Sequence, residues 1–174
     1  VSRGRYPHQG LMRQWSGRDE AAVAEAMERT GTREIAGRPV ASLSGGQRQR
    51  VWIAMVLAQQ TGILLLDEPT TFLDLTHQID VLELCRELVD GYGTTIVAVL
   101  HDLNQAGRYA DRIVAMRDGQ LVASGTPAEV ITAETVKAVF DLDCRIIPDP
   151  EAGTPLVVPK AGAHSGPVGR TAAP

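Results

Sequence analysis

Two short apolar runs separated by a helical pattern constrain this chain more than any other feature. The runs are ILLL (63–66) and TTIVAVL (94–100), and residues 74–91 between them repeat apolar side chains at helical spacing. Uninterrupted apolar runs of this length are typical of parallel strands that are covered on both faces. A strand, a helix and a second strand in this order predict a right-handed βαβ unit. We therefore predict an α/β fold with a parallel sheet at its core.

Helices, a hairpin and further strands are predicted on either side of this unit. Caps, turn residues and glycine stops mark their ends. The residues after 160 are small and polar, which predicts a disordered tail. The predicted elements are a helix at 19–31 with Asp19 as N-cap and Gly31 as its stop, a helix at 46–60, a helix at 74–91 ending at Gly91, a hairpin at 112–125 turning at Asp118-Gly119, a capping box at Thr126–Glu129, and strands at 144–149 and 155–159.

Composition describes an ordinary globular protein and excludes some functions. The chain has 174 residues and a net charge of −4, so there is no electrostatic argument for a nucleic-acid partner. No segment approaches the roughly 20 apolar residues that span a bilayer; the longest apolar run is VWIAMVLA (51–58). Cys85 and Cys144 are the only cysteines. A disulfide is one possibility, and two buried reduced thiols in a cytosolic protein are the favoured interpretation.

Polar side chains follow both apolar runs. Asp67 and Glu68 come directly after the first, and His101 and Asp102 directly after the second. Because ligands bind at the carboxyl ends of parallel strands, we expect chemistry at this edge. Asp67 is suited to hold Mg²⁺ through water, and Glu68 to orient or deprotonate a water aimed at phosphorus. The alternative is a solvated turn in which Asp67 is only a cap.

The stretch SLSGGQRQR (42–50) resembles a phosphate-binding turn without its lysine. Glycines let backbone N–H groups approach an anion, and a helix N-terminus adds positive charge. The alternative is a serine-capped helix that follows a flexible turn. A phosphate loop needs GxxxxGK followed by Ser or Thr. The only lysines, Lys137 and Lys160, follow valine and proline, so this chain contains no such motif.

Four motifs together resemble the ATP-binding-cassette (ABC) ATPases. LSGGQ (43–47) resembles the family signature, ILLLDE (63–68) its Walker B strand, TFLD (71–74) its D-loop and His101 its switch histidine. The phrases GRYPHQ, QRQRVWIAMVLAQQT and LHDLNQAGRYADRIVAMRDGQLVASGTPAEV are similar to the importer ATPases for iron–siderophore, haem and related metal-chelate uptake. The resemblance extends to about residue 159.

The resemblance implies part of a P-loop NTPase domain that lacks its N-terminal Walker A portion. Residues 1–57 are then a helical subdomain with the signature, 58–159 a RecA-like catalytic subdomain with C-terminal strands, and 160–174 a tail. Because the chain starts at Val1 and lacks the phosphate loop, we interpret it as a fragment. Gln9 and Gln14 lie past the usual place of the family's glutamine loop.

The resemblance also implies a shared ATP site. Two ATPase subunits dimerise head to tail, and each ATP lies between the phosphate loop of one and the signature of the other. Glu68 and His101 are implied to be catalytic, His101 through a hydrogen bond to the γ-phosphate, with Mg²⁺ held through water by Asp67. Asp74 is implied to cross the dimer interface, with N-capping of the next helix as a competing role. The residues implied to contact nucleotide are Ser44, Gly45, Gly46, Gln47, Asp67 and Asp74.

The implied partners are integral-membrane permease subunits and, indirectly, a periplasmic or surface substrate-binding protein. The chain is accordingly expected at the cytoplasmic face of the cell membrane. A groove for the permease would be lined by Tyr6, Pro7, Leu11 and Trp15, although core packing explains these residues equally well.

Several basic side chains are given only minor roles by the sequence. Arg48 and Arg50 are interpreted as solvated or interfacial, with direct phosphate contact as the alternative. His8 and His77 are interpreted as surface or locally hydrogen-bonded residues, and His164 as having no role.

Import of iron–siderophore complexes, driven by ATP hydrolysis, is the leading functional hypothesis. Two alternatives stay open: a non-enzymatic fragment, and an ABC-type ATPase of DNA repair or chromosome maintenance. In ABC-type ATPases of DNA repair or chromosome maintenance, the signature follows a long coiled coil. No heptad repeat precedes the signature in this sequence.

Overall fold

The computed structural model describes residues 1–9 and 15–162 of the chain. The chain forms two compact units, unit 1 (Val1–Leu100) and unit 2 (His101–Pro174). Within the described ranges no helix is both long and apolar enough to cross a membrane. The predicted division at residue 57 stays a prediction. The predictions for Leu11, Gln14, His164 and the tail beyond residue 162 lie outside the described residues.

Unit 1 combines helices with a small parallel sheet. β1 and β2 pair in parallel, with Ile63 opposite Thr95 and Asp67 opposite Val99, and α3 connects them. The predicted strand–helix–strand unit with parallel pairing is therefore confirmed. In chain order the elements are α1 (Gly17–Arg29), α2 (Gly45–Leu57), β1 (Ile63–Asp67), α3 (Leu75–Tyr92) and β2 (Thr95–Val99), with short 3-10 helices at Ser2–His8, Arg33–Ile35 and Val40–Ser42.

Only one face of this sheet is covered within unit 1. Leu64 and Leu66 pack against buried residues of α2 and α3, whereas Leu65 on the opposite face is 72% exposed. Val97 of β2 lies opposite Leu65 and is exposed as well. The prediction that both strands are covered on both faces is therefore wrong for this unit. The run has the composition of a buried strand, but α2 and α3 pack on one side only.

The start of α1 differs from the prediction. The helix begins at Gly17, and Ser16 is its N-cap, not Asp19. The Ser16 N–H donates to Oδ2 of Asp19 over 3.0 Å, and the Asp19 N–H donates to Oγ of Ser16 over 3.3 Å. Asp19 is thus the reciprocal member of a capping box, because the serine three residues earlier takes the cap position. The predicted stop at Gly31 is confirmed by its φ of 61° just beyond the helix.

The end of α3 lies one residue beyond the predicted one. The helix continues to Tyr92, and Gly93 takes the left-handed conformation with a φ of 65°. A helix commonly ends at a glycine in the left-handed conformation. Here that glycine is Gly93, so Gly91 is part of the last turn of the helix. The buried side of α3 consists of Val81, Leu82, Leu84 and Leu88.

Unit 2 contains two antiparallel strand pairs. The predicted hairpin is confirmed: Asp118 and Gly119 have φ values of 51° and 75°, as a type I′ turn requires. The strands predicted near the end of the chain are also confirmed, and they pair with each other. A small core contains Ile131, Val136, Cys144 and Val157. The elements are α4 (Leu103–Tyr109), β3 (Ile113–Arg117), β4 (Gln120–Gly125), α5 (Pro127–Val130), α6 (Ala133–Phe140), β5 (Cys144–Pro148) and β6 (Pro155–Pro159).

Both cysteines are free thiols. Cys144 is buried and Cys85 is half-buried in α3. Burial raises the pKa of the Cys85 thiol to about 11, which keeps it protonated and unreactive at neutral pH. The interpretation as two reduced thiols is confirmed.

Candidate functional site

The turn that begins α2 carries the Ser-Gly-Gly-Gln stretch. The Gln47 N–H donates to Oγ of Ser44 over 3.2 Å, and the Ser44 N–H donates to Oε1 of Gln47 over 3.2 Å. This capping box confirms the serine-capped helix that the sequence left open. Ser44 and Gly45 are exposed, so the positive end of a 13-residue helix faces solvent here. Such an end can also bind an anion through its N–H groups.

The two glycines of this turn are closely packed against the start of α3. A Cβ atom on Gly46 would lie 2.2 Å from Cδ2 of His77, and one on Gly45 would lie 3.2 Å from Cδ2 of Leu73. The sequence explained the glycines only by the approach of an anion. The structure adds a second requirement, because side chains of the same chain occupy the space beside them.

The end of β1 carries the two predicted carboxylates. Asp67 is the last residue of the strand and is exposed. Glu68 follows in the left-handed conformation, with a φ of 47°. Its Oε2 accepts a hydrogen bond from Oγ1 of Thr71 over 3.0 Å. The carboxylate is therefore held on an exposed turn, where it can orient a water molecule.

Asp67 fits the way in which proteins hold Mg²⁺. This ion keeps several waters and is usually bound by one or two carboxylates together with substrate phosphates. No group of three or more His, Cys, Asp or Glu side chains suited to a metal occurs in the described part of the chain. An exposed carboxylate at a strand end suits an ion whose other ligands are waters and phosphate oxygens.

Asp74 begins α3 and orients His77. Its Oδ1 accepts the His77 backbone N–H over 3.0 Å and lies 2.7 Å from the ring Nδ1. These hydrogen bonds hold the pKa of the Asp74 carboxyl below its usual value. The competing role of Asp74 as an N-cap is confirmed, while its role across a dimer interface stays a prediction.

Phe72, in the same turn, has an unusual combination of conformation and exposure. Its φ is 63°, a region that residues with a side chain rarely occupy. Its side chain is 102% exposed. Neither property follows from packing within the chain.

His101 lies at the start of unit 2, two residues after β2 ends, and is exposed. The next residue, Asp102, caps α4 by accepting the N–H groups of Asn104 over 2.8 Å and Gln105 over 3.0 Å. The structure thus places His101 immediately before a helix, and its expected proximity to Glu68 stays a prediction.

A buried ion pair in unit 1 is not evident from the sequence. Nε of Arg5 donates to Oδ1 of Asp19 over 2.8 Å, and both side chains are 6% exposed. The same guanidinium donates to the carbonyl oxygen of Ala58 over 2.9 Å and to Oε1 of Gln60 over 3.0 Å. Hydrogen bonds from the Ser16 hydroxyl, from Arg5 and from the Ser16 backbone N–H hold the pKa of the Asp19 carboxyl low, at about 2. Arg5 therefore joins the N-terminal segment to α1 and to the end of α2, and no motif signalled this role.

The residues predicted to line a permease groove are exposed where the structure describes them. Tyr6 is 53% and Trp15 is 47% exposed, and Pro7 is exposed as well. Core packing therefore does not account for these three side chains, and their role in a groove stays a prediction.

Two further basic residues contact backbone carbonyl groups of unit 1. His8 Nε2 lies 2.6 Å from the carbonyl oxygen of Gln59, and Arg48 donates to the carbonyl oxygen of Leu43 over 3.4 Å. His8 is exposed, which confirms its interpretation as a surface residue, although its hydrogen bond reaches a residue distant in the chain. Local hydrogen bonding is confirmed for His77, through Asp74.

Comparison with known proteins connects these features to a family. A family model described as ABC transporter matches residues 5–71. The chain is 60% identical over 159 residues to the ferric enterobactin transport ATP-binding protein FepC of Escherichia coli. The aligned region covers 91% of this chain and 59% of that protein. The chain thus spans less than two thirds of this relative.

Two solved structures share the fold. One is a metal-chelate type ABC transporter in an inward-facing conformation, with a TM-score of 0.84 and 29% identity over 92% of this chain and 64% of that one. The other is a dimeric ATP-binding cassette in a post-hydrolysis state bound to ADP and Pi, with a TM-score of 0.53 and 33% identity over 65% of this chain and 49% of that one.

Proposed function

We propose that this chain is the signature-bearing part of an ATPase that drives import of iron–siderophore complexes. The premise is that the chain belongs to the ABC transporter family and has part of the P-loop NTPase fold of the family's ATPase domains. The observation that carries the proposal is one contact. The solvent-facing turn at Ser44 packs on the start of α3 and so lies beside the turn that holds Asp67 and Glu68.

The turn at Ser44 is proposed to close over a nucleotide bound mainly by a second subunit. The Ser44 hydroxyl and the N–H groups of Gly45 and Gly46 can donate to phosphate oxygens. The side-chain amide oxygen of Gln47 accepts the Ser44 N–H within the capping box, so the side-chain NH₂ group is the part proposed to face the nucleotide. The chain has no lysine in a phosphate-loop motif, and in a head-to-tail dimer the second subunit supplies it. A dimeric cassette among the similar structures supports this arrangement.

The carboxylates are proposed to act on the attacking water. Glu68 orients it and accepts its proton, a role that the exposed carboxylate at the end of β1 allows. Asp67 would hold Mg²⁺ through water, and the chemistry that the bound ion would supply is neutralisation of charge on the phosphates. His101 donates a hydrogen bond to the γ-phosphate, and Asp74 contacts the second subunit in addition to capping α3.

The proposed partners are a second ATPase subunit, permease subunits in the membrane and, indirectly, a substrate-binding protein. The exposed Tyr6, Pro7 and Trp15 are proposed to face the permease at the cytoplasmic side of the membrane. The similarity to a ferric enterobactin transport protein and to a metal-chelate type transporter supports the substrate class. It also favours transport over DNA repair or chromosome maintenance.

For the 174-residue chain by itself we expect no measurable ATPase activity, because neither lysine lies in a phosphate-loop motif. The alternative of a non-enzymatic fragment is therefore retained for the isolated chain. Turnover by the purified chain that is lost in Glu68→Gln would contradict this expectation.

A graft tests the proposed function in a complete ATPase. The 159 residues of the E. coli ferric enterobactin protein that align with this chain are replaced by their counterparts, and the graft is expressed in a strain that lacks its own copy. We expect ATP hydrolysis by the purified graft and restored uptake of iron-labelled ferric enterobactin. A folded graft that binds ATP but neither hydrolyses it nor restores uptake would contradict the proposal.

A further inference from the structure

His77 links the two turns on which the proposed function rests. Its Nδ1 lies 2.7 Å from Oδ1 of Asp74. Cδ2 of the same ring lies only 2.2 Å from the position that a Cβ atom on Gly46 would take. One ring therefore contacts both the residue that begins α3 and the first turn of α2.

We propose that His77 is a positioning residue that fixes the first turn of α2 relative to the turn between β1 and α3. This inference rests on the proposed role of α2 in binding nucleotide. A glycine is then required at position 46 for two reasons. Phosphate has to approach the backbone N–H groups, and the His77 ring occupies the space that a Cβ atom would need. Motion of the Asp74 turn is transmitted to the N–H groups of α2 through this ring.

The contacts around the ring show why its position is defined. The Asp74 carboxylate accepts from both the backbone and the ring of His77, which restricts the side chain to one orientation. Gly46 is buried, and Leu73 packs on the neighbouring Gly45. A group that is held by packing and hydrogen bonds loses little freedom when it binds a ligand, and such preorganisation strengthens binding.

A mutant cycle in the 174-residue chain tests the packing contact. Gly46→Ala should lower Tm by about 2–8 °C, because the added methyl collides with the ring. In a His77→Ala background the same change should cost nothing. Gly91→Ala is the matched control: it is also helical, and a Cβ there meets no atom within 4 Å, so Tm should rise slightly. An equal loss of Tm from Gly46→Ala with and without the ring would overturn the contact.

Kinetics of the graft test the positioning role. His77→Ala should raise KM for ATP about 3- to 10-fold, because the turn of α2 is no longer preorganised. The kcat should change less than about 2-fold, because Glu68 is untouched. Thr76→Ala, an exposed change in the same turn of α3, should leave both constants unchanged.

Two further variants separate the functions of the ring. His77→Phe fills the space beside Gly46 without the Nδ1 group, and His77→Asn keeps a donor near Asp74 but is too small to cover Gly46. We expect both to give KM values between those of wild type and His77→Ala. If all His77 variants lower Tm and leave KM unchanged, the residue is only structural and the inference is wrong. A wild-type graft without ATPase activity would instead contradict the proposed function.

Discussion

Two turns of unit 1 carry the polar groups of the proposed function, and they are held in different ways. The turn at Ser44 has a reciprocal capping box and packs beneath His77. The turn between β1 and α3 places Glu68 and Phe72 at φ values of 47° and 63°. For a residue with a side chain this conformation costs about 1–2 kcal/mol.

The two turns therefore differ in what determines their conformation: side-chain packing in the turn at Ser44, and backbone strain in the turn between β1 and α3. The glycine turn is stabilised by the side chains around it, so changes there should lower stability. The carboxylate turn contains strained residues that are exposed, and strain of this kind persists where function maintains it. Changes in the second turn should therefore alter activity with little loss of stability, or even with a gain.

Glu68→Gln should have the largest effect and should separate activity from stability. In the graft we expect kcat to fall about 10²- to 10⁴-fold, because an amide cannot accept the proton of the attacking water. ATP binding should be retained and the closed dimer stabilised. The amide oxygen can still accept from Thr71, so the Tm of the 174-residue chain should stay unchanged. Steady-state ATPase assays and ATP titrations measure the two effects.

The matched control for this change is Glu87→Gln, which removes another exposed carboxylate of unit 1 and should leave kcat unaltered. Normal turnover in Glu68→Gln would remove Glu68 from the catalytic role. A large loss of Tm would show that the carboxylate turn is held by packing after all.

Phe72 tests the strain itself. Phe72→Gly and Phe72→Ala remove the same exposed ring, but only glycine relieves the left-handed backbone. We expect the glycine variant to be more stable than the alanine variant by about 0.5–1 kcal/mol, the strain relief less the entropy that glycine adds to the unfolded chain. Urea unfolding of the 174-residue chain measures the difference. An alanine variant as stable as the glycine variant would mean that the turn is not strained at this position.

The sequence predicted the fold well where local chemistry decides the structure. The Asp118-Gly119 hairpin and the parallel pairing of β1 with β2 follow from turn residues and from the order of the elements. The exposure of one face of this sheet could not be predicted from the sequence. Leu64 and Leu65 are identical in type, yet one is 2% and the other 72% exposed, because burial depends on which helices lie over each face.

The same limit applies to the candidate site. Ser44, Glu68 and Asp74 were identifiable because each belongs to a short motif with a chemical reason. The contact between Gly46 and His77 joins residues on two different helices, and no periodicity predicts which side chain will meet a glycine. The buried pair of Arg5 and Asp19 was missed for that reason too.

Asp74 lies where the two turns meet, and its charge should give the smallest effect. Asparagine is also a good N-cap, so Asp74→Asn removes the charge and keeps the cap. The hydrogen bonds from His77 hold the folded pKa of Asp74 below its ordinary 3.8. Because the pKa of Asp74 is lower in the folded chain than in the unfolded chain, the charged carboxylate stabilises the folded chain at pH values above the unfolded pKa. This stabilisation is lost as the pH falls through the folded pKa. The stability advantage of wild type over Asp74→Asn, measured by urea unfolding, should therefore be present at neutral pH and disappear in acid. An advantage that grows as pH falls through the range in which the Asp74 carboxyl titrates would show that the charge is unfavourable in the folded chain.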